Sequence, residues 1–167
     1  AQKTNVQQCL LKLQTNKLYL LTTTTVLESK DSNNKYYDPL AIYAGSTETV
    51  TLPENLETIG SYAFNNNNIK SLYIPASVTS IGEDAFKESP SLETIIVDGD
   101  NKYYDSRNNS NALIETSTNK LLVGTHNTII PNTVDIIGSY AFAYKTLLFG
   151  IEIPEGVVEI KDYAFYH

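Results

Sequence analysis

The 167 residues contain one cysteine, no methionine and no tryptophan, and only 12 lysines and arginines against 19 aspartates and glutamates. The lone Cys9 cannot close an internal disulfide and leaves a cysteine-based zinc site without its ligands. It lies beside an apolar run and reads as a buried, inert thiol rather than a nucleophile. The formal charge of -7 and a pI near 4.7 leave no basic footprint for nucleic acid or an anionic membrane surface. No apolar run approaches the roughly 18 residues of a membrane span, so membrane insertion is not expected. His126 and His167 are the only histidines, and neither has a serine or cysteine partner at a recognisable spacing. No glycine-rich turn leads into a helix as a phosphate site requires. Methionine is missing even at position 1, so a processed product or excised piece is expected, with further repeats after Tyr166-His167, where no polar cap covers the last unit.

What the chain does have is repetition. LPENLETIGSYAF begins at Leu52 and IPASVTSIGEDAF at Ile74, so that Pro53, Ile59, Gly60, Ala63 and Phe64 recur as Pro75, Ile81, Gly82, Ala85 and Phe86, each 22 residues on. The pattern returns as IPNTVDIIGSYAF (Ile130 to Phe142) and IPEGVVEIKDYAF (Ile153 to Phe165), with Pro131 and Pro154 separated by 23. Periods in the low twenties belong to leucine-rich repeats, whose units bury an apolar face only against neighbours. Four such units imply one stacked core, and 41% hydrophobic residues suffice to build it within one domain.

Each unit can be read locally. In Leu72-Tyr73-Ile74-Pro75 and Ile151-Glu152-Ile153-Pro154, apolar residues flank an outward one as in a strand, and proline ends the ladder for want of an N–H. A second apolar pair (Leu56 and Ile59, Val78 and Ile81, Val134 and Ile137, Val157 and Ile160) points back at the core. The glycine after isoleucine suits a bend of unusual φ, with Lys161 in its place in the last unit. The Ala-Phe segment is expected to be a short helical turn, and Phe64, Phe86, Phe142 and Phe165 an aromatic spine.

Two places interrupt the period. Leu10 to Leu18 echoes Leu113 to Leu121, and Asn34-Lys35-Tyr36-Tyr37-Asp38 echoes Asn101-Lys102-Tyr103-Tyr104-Asp105, at different shifts of 103 and 67 residues. The same insertion module is thus met twice at different phases. Leu113-Ile114 and Leu121-Leu122-Val123 are expected to form a hairpin that stays in the stack. Ile95-Ile96-Val97 and Ile129-Ile130-Pro131 read as strands on either side. The chain divides into an irregular hairpin coil (1–49), two regular repeats (50–97), an enlarged hairpin coil (98–127) and two regular repeats (128–167), all within one domain.

The units IPASVTSIGEDAF and IPEGVVEIKDYAF, with the interrupting segment from Asp98 to Val134, resemble the BspA-type leucine-rich-repeat family of bacterial and protist surface proteins. The likeness covers residues 50–167 well and 9–49 only through the two echoes. It departs where a cysteine or small residue often follows Ala-Phe, since Asn66, Glu88 and Tyr144 stand here. The resemblance implies a β-rich α/β solenoid, a leucine-rich-repeat right-handed superhelix of short parallel strands and short helical turns interrupted by β-hairpin insertions. It also implies a secreted or surface-anchored protein, adhesion to host matrix or cell-surface proteins, and no shared catalytic residues.

Candidate residues follow from alternation. Thr49 and Thr51, Ser71 and Tyr73, Thr94, Asn127 and Ile129, and Glu152 point outward along one ladder face, and of these Thr51, Tyr73, Ile129 and Glu152 are the binding candidates. Tyr36, Tyr37, Tyr103 and Tyr104 are loop tyrosines of the kind that anchor interfaces. Asp98, Gly99, Asp100, Asn101 and Asp105 outline an acidic calcium-type loop without its full alternating set or terminal glutamate, so solvated loop charges are expected instead. Glu83-Asp84 is expected to face water rather than act as a glycosidase pair, and Asn108-Asn109-Ser110 is a glycosylation sequon. The expected function is non-enzymatic recognition of a protein, ahead of a glycan, with no cofactor. The alternative is a spacer or an appendage of a larger, enzymatic surface protein.

Overall fold

A computed structural model describes residues 49–50, 52, 54, 56–65, 68–145 and 150–166. Ten short strands follow in order: β1 Thr49–Val50, β2 Thr58–Ile59, β3 Ser71–Ile74, β4 Ser80–Ile81, β5 Thr94–Val97, β6 Tyr104–Asp105, β7 Ala112–Glu115, β8 Lys120–Gly124, β9 Ile136–Ile137 and β10 Glu159–Ile160. A single 3-10 turn, Arg107–Asn109, is the one helical element among the described residues.

The repeat period becomes strand register. In a three-stranded parallel sheet β3 lies between β1 and β5, with Thr49 opposite Ser71 and Ser71 opposite Thr94. A second row, which strand patterning before the prolines did not anticipate, comes from the apolar pair after each proline. Thr58 pairs with Ser80 (β2 with β4), and Ile136 with Glu159 (β9 with β10), again parallel. Strand β8 joins this row through Lys120 and Ile136. It also pairs antiparallel with β7, and β7 with β6, giving the order β10-β9-β8-β7-β6. The expected hairpin therefore forms and remains in the stack.

After each proline a tight turn recurs: Val78, Val134 and Val157 N–H groups donate to Pro75, Pro131 and Pro154 at 3.2, 3.0 and 3.1 Å. The Ala-Phe segments are not helical turns, which corrects the sequence reading. In each of the four units an alanine N–H (Ala63, Ala85, Ala141, Ala164) donates to the carbonyl three residues earlier. The residue before that alanine (Tyr62, Asp84, Tyr140, Tyr163) has a positive φ of 57, 51, 57 and 59°. A left-handed residue at the third position of a turn breaks any helix. The glycine two residues before has another purpose than unusual φ: a β-carbon on Gly82 would lie 2.3 Å from the Ser61 nitrogen of the preceding unit.

The core forms two clusters. Leu56, Ile59, Phe64, Leu72, Ile74, Val78, Leu92 and Ile95 fill the first, which Leu113 and Val123 of the hairpin close; Ile114, Leu121, Val134, Ile137, Ala141 and Phe142 fill the second. The aromatic spine is accordingly two separate pairs rather than one column. Phe64 stacks on Phe86 and Phe142 on Phe165, each with centroids 5.2 Å apart and planes within 2°. Between the pairs stands the hairpin, where Gly124 rather than another phenylalanine meets Phe142.

Two expected strands are not strands. Ile129-Ile130-Pro131 and Ile151-Glu152-Ile153-Pro154 carry no regular secondary structure. The reason is the edge of β5, whose N–H groups are taken by side chains instead of a neighbouring backbone: Ile95 donates to Asn111 Oδ1 at 2.7 Å and Val97 to Ser106 Oγ at 3.1 Å. With that ladder interrupted, residues 128–130 have no regular edge to extend. Ile153 and Ile160, expected to point inward, are 45% and 49% exposed, where Ile74 and Ile137 at matching places are fully buried.

Candidate recognition surfaces

Alternation along β3 and β5 leaves Leu72, Ile74, Ile95 and Val97 buried and turns Tyr73 and Ile96 outward. These two residues are register partners on adjacent parallel strands and are 44% and 51% exposed. Ile129, two residues before the next proline, is 74% exposed, and its N–H donates to the Ser110 carbonyl at 3.0 Å, one residue from the amide that caps β5. Glu152 is exposed at the equivalent place in the last unit. Tyr73, Ile129 and Glu152 are each exposed two residues before a proline, but of the three only Tyr73 lies in the parallel ladder. Thr51, Tyr36 and Tyr37 lie outside the described residues.

Ile96 was missed in the sequence because Asp98 stands where a proline would have marked the strand end; counting one period from Tyr73 would have found it. Asp98 has a use of its own. The Tyr73 hydroxyl donates to its Oδ2 at 2.5 Å and the Asp100 N–H to its Oδ1 at 2.9 Å. These bonds hold the Asp98 carboxyl below the usual carboxylate range, Tyr73 contributing most, while the Tyr73 phenol is raised chiefly by the same bond. An exposed ring is thereby fixed in place.

The two loop tyrosines part company. Tyr103 is 51% exposed, as an anchor would be, but Tyr104 is 5% exposed and its phenol accepts the Ile81 N–H at 2.9 Å. Tyr104 is therefore no surface anchor: it caps the edge of β4, and burial raises its phenol above the ordinary range. Asn101 fixes the pair. Its Oδ1 accepts the N–H groups of both tyrosines at 2.9 Å, and its Nδ2 donates to the Pro75 and Val78 carbonyls at 2.8 and 3.0 Å.

The acidic loop does not gather around a common point. Asp105 is held bidentate by Arg107, with Nε to Oδ1 at 2.7 Å and Nη2 to Oδ2 at 2.6 Å, and Thr116 Oγ1 donates to it at 3.1 Å. Burial alone would raise its carboxyl, but the Arg107 bonds outweigh burial and lower it. Among the described residues no group of three His, Cys, Asp or Glu side chains is placed to hold a metal ion.

A second feature lies in the row of turns. A cavity of about 260 Å³ opens between the turn Ile81 to Lys87, hairpin residues Glu115, Lys120, Leu122 and Val123, and the turn Gly138 to Tyr140. Glu83 is exposed, as expected, but Asp84 is partly buried on this wall. Burial raises its carboxyl above the usual range, against the pull of Lys87 Nζ 3.9 Å away. Lys87 also lies 4.0 Å from the ring centroid of Tyr140, spanning the opening. No spacing in the sequence marks this cavity, because its walls come from three segments and depend on where the hairpin sits.

The comparisons agree with this architecture. A profile of the BspA type leucine rich repeat region, in 6 copies, matches residues 39–129 and 122–167. A leucine-rich repeat protein from Eubacterium ventriosum is similar at 32% identity and a TM-score of 0.61, over 69% of this chain and 32% of that one. A leucine rich cell surface protein from Faecalibacterium prausnitzii is similar at 34% identity and a TM-score of 0.63, over 74% of this chain and 34% of that one. The pneumococcal vaccine antigen PcpA is similar at 26% identity and a TM-score of 0.58, over 65% of this chain and 28% of its own. The chain thus spans 28–34% of the length of these structures. No curated protein matches it. With parallel strands recurring at the repeat period and the family profile running over both halves, the chain belongs to the BspA-type leucine-rich-repeat family.

Proposed function

We propose that this chain is a non-enzymatic recognition segment of a cell-surface or secreted protein, a right-handed leucine-rich-repeat stack that binds a protein partner through the column Tyr73, Ile96, Ile129 and Glu152. The observation that carries the reading is the direct pairing of Tyr73 with Ile96, two large side chains half-exposed on strands whose other face is core. Aromatic and aliphatic groups at the centre of a polar surface are where binding energy concentrates in protein interfaces. Tyr73 also arrives ordered by its bond to Asp98, so less side-chain entropy is lost on contact. The surface and antigen descriptions of the relatives support the location, and the matrix or surface protein expected from the resemblance remains the preferred partner over a glycan.

Binding to immobilised purified matrix proteins, cell-surface proteins and glycans tests the reading. Wild type is expected to bind a protein member of the panel, with Tyr73→Ala and Ile96→Ala each weakening binding by about tenfold or more. Equal binding by all three proteins, or glycan binding alone, counts against it.

A further inference from the structure

Carboxylates stand at one end of the face formed by Tyr73 and Ile96. Because the Tyr73 hydroxyl donates to Asp98 Oδ2 at 2.5 Å, a carboxylate sits at the rim of an exposed aromatic ring. Asp100, whose N–H donates to Asp98 Oδ1 at 2.9 Å, is exposed in the same loop, and Glu54 is exposed at the end of the preceding unit. The Tyr73 phenol is raised first by its bond to Asp98, then by desolvation, then by the negative charges of Asp98 and Glu54. No lysine or arginine among the described residues acts on it.

A carboxylate rim alone is a solvated feature, and an exposed ring alone is a general apolar contact. Their combination selects a cation, because the face of an aromatic ring carries the negative part of its quadrupole and attracts positive charge. Asp98 has accepted one hydrogen on each oxygen, so each oxygen keeps a lone pair for a further donor. Guanidinium meets both demands: it is planar, stacks on aromatic faces and presents its N–H groups to a carboxylate as a fork. An ammonium is more strongly hydrated and acts as a point charge, so it meets only one of them.

We infer that this face takes an arginine side chain from a basic segment of its protein partner, with the guanidinium stacked on the Tyr73 ring and hydrogen-bonded to Asp98. The inference rests on the reading that Tyr73 and Ile96 bind a protein, and it adds the chemistry of that protein. Ile96, the register partner of Tyr73, supplies the apolar ground for the methylene stem of the arginine. The bonds from Tyr73 and Asp100 hold the Asp98 carboxyl below the usual range, so its charge is in place at neutral pH. The whole chain adds to the selection, since a formal charge of -7 steers a basic partner in and turns an acidic one away.

The test uses the full chain, isotope-labelled for NMR, with acetyl-Leu-Arg-amide and its uncharged isostere acetyl-Leu-citrulline-amide as probes. The arginine peptide is expected to bind with a Kd of about 10 mM and to move the signals of Tyr73, Ile96 and Asp98. The citrulline peptide should bind at least about fivefold more weakly. Asp98→Asn keeps the size of the side chain and an acceptor for the Tyr73 hydroxyl, and it should weaken the arginine peptide by about threefold or more in a protein that keeps a folded spectrum. Equal shifts from the two peptides, an undiminished response in Asp98→Asn, or arginine shifts spread evenly to exposed carboxylates elsewhere, such as Glu155 and Glu159, would each overturn the proposal. The panel of immobilised proteins separates this inference from the reading beneath it. A panel protein whose binding is lost in Tyr73→Ala, yet is unaltered in Asp98→Asn and is not displaced by the arginine peptide, would leave the recognition face standing and remove the arginine. Panel binding unchanged in Tyr73→Ala would overturn both.

Discussion

A β-carbon placed on Gly124 would lie 2.2 Å from Cε1 of Phe142 and 2.6 Å from its Cζ. That contact is the joint between the two halves of the protein, since Phe142 is itself pressed on its other side against Phe165 at 5.2 Å. The ring has nowhere to retreat. Gly124→Ala is therefore expected to destabilise by about 1–3 kcal/mol, the usual cost of overpacking a filled core. Thermal unfolding of the variant checks it; an unchanged Tm would mean the ring can shift freely.

Tyr104 and Tyr103 are adjacent in sequence but opposite in duty. Tyr104→Phe keeps the buried ring and removes only the oxygen that accepts the Ile81 N–H, so a loss of about 1–3 kcal/mol is expected from the orphaned amide. Tyr103→Phe, at an exposed ring, should stay within about 0.5 kcal/mol of wild type. Denaturant titration of both separates the two roles, and equal midpoints would contradict the cap.

The repeat was legible because its period is built from residues with one structural use each. Proline, the apolar pair and Ala-Phe recur at 22 or 23, and that spacing reappears as the register of Thr49, Ser71 and Thr94. The turns were misread because Tyr62 and its equivalents occupy left-handed backbone, which composition does not announce for a tyrosine. The glycines were read as conformational when their need is close approach, as at Gly82, which only the neighbouring unit reveals. Inside the hairpin coil no second regular copy supplies a phase, so the choice between Tyr103 and Tyr104 for burial depends on Asn101 and Ile81, contacts that no local pattern contains.

Asn111 replaces a backbone edge with one side chain. Its amide accepts from Ile95 N–H at 2.7 Å and donates to the Glu93 carbonyl at 2.7 Å and Thr125 Oγ1 at 2.8 Å, while its carbonyl accepts Thr128 Oγ1 at 2.7 Å. Its φ of 55° adds a second reason for asparagine. Asn111→Asp can still accept from Ile95 but cannot donate, and it sets a carboxylate against the Glu93 carbonyl. Asn111→Ala loses all three side-chain bonds. Both should destabilise, Asn111→Ala by about 2–4 kcal/mol. Amide exchange at Ile95 should accelerate with the alanine and less with the aspartate; equal protection in wild type and alanine would show that the backbone ladder closes without the side chain.

Lys145 is 7% exposed and donates from Nζ to the Ser89 carbonyl, 56 residues away in sequence, so a charge is held inside the stack. Burial pushes its ammonium down to about 8 from 10.5. Below that value both folded and unfolded chains carry the proton, and the penalty of burying the charge is constant. As pH rises through about 8 the folded protein releases the proton first, so the unfolded chain binds more protons and stability must rise with pH until the unfolded lysine also titrates. The gain between pH 8 and about pH 10 should be about 2 kcal/mol. Tyr62 and Tyr104, whose phenols are raised, oppose it only at higher pH. In Lys145→Met this gain should vanish whatever the variant's absolute stability, because methionine cannot titrate. Urea midpoints across that pH window, compared between the two proteins, decide the matter, and parallel curves would place the titrating group elsewhere.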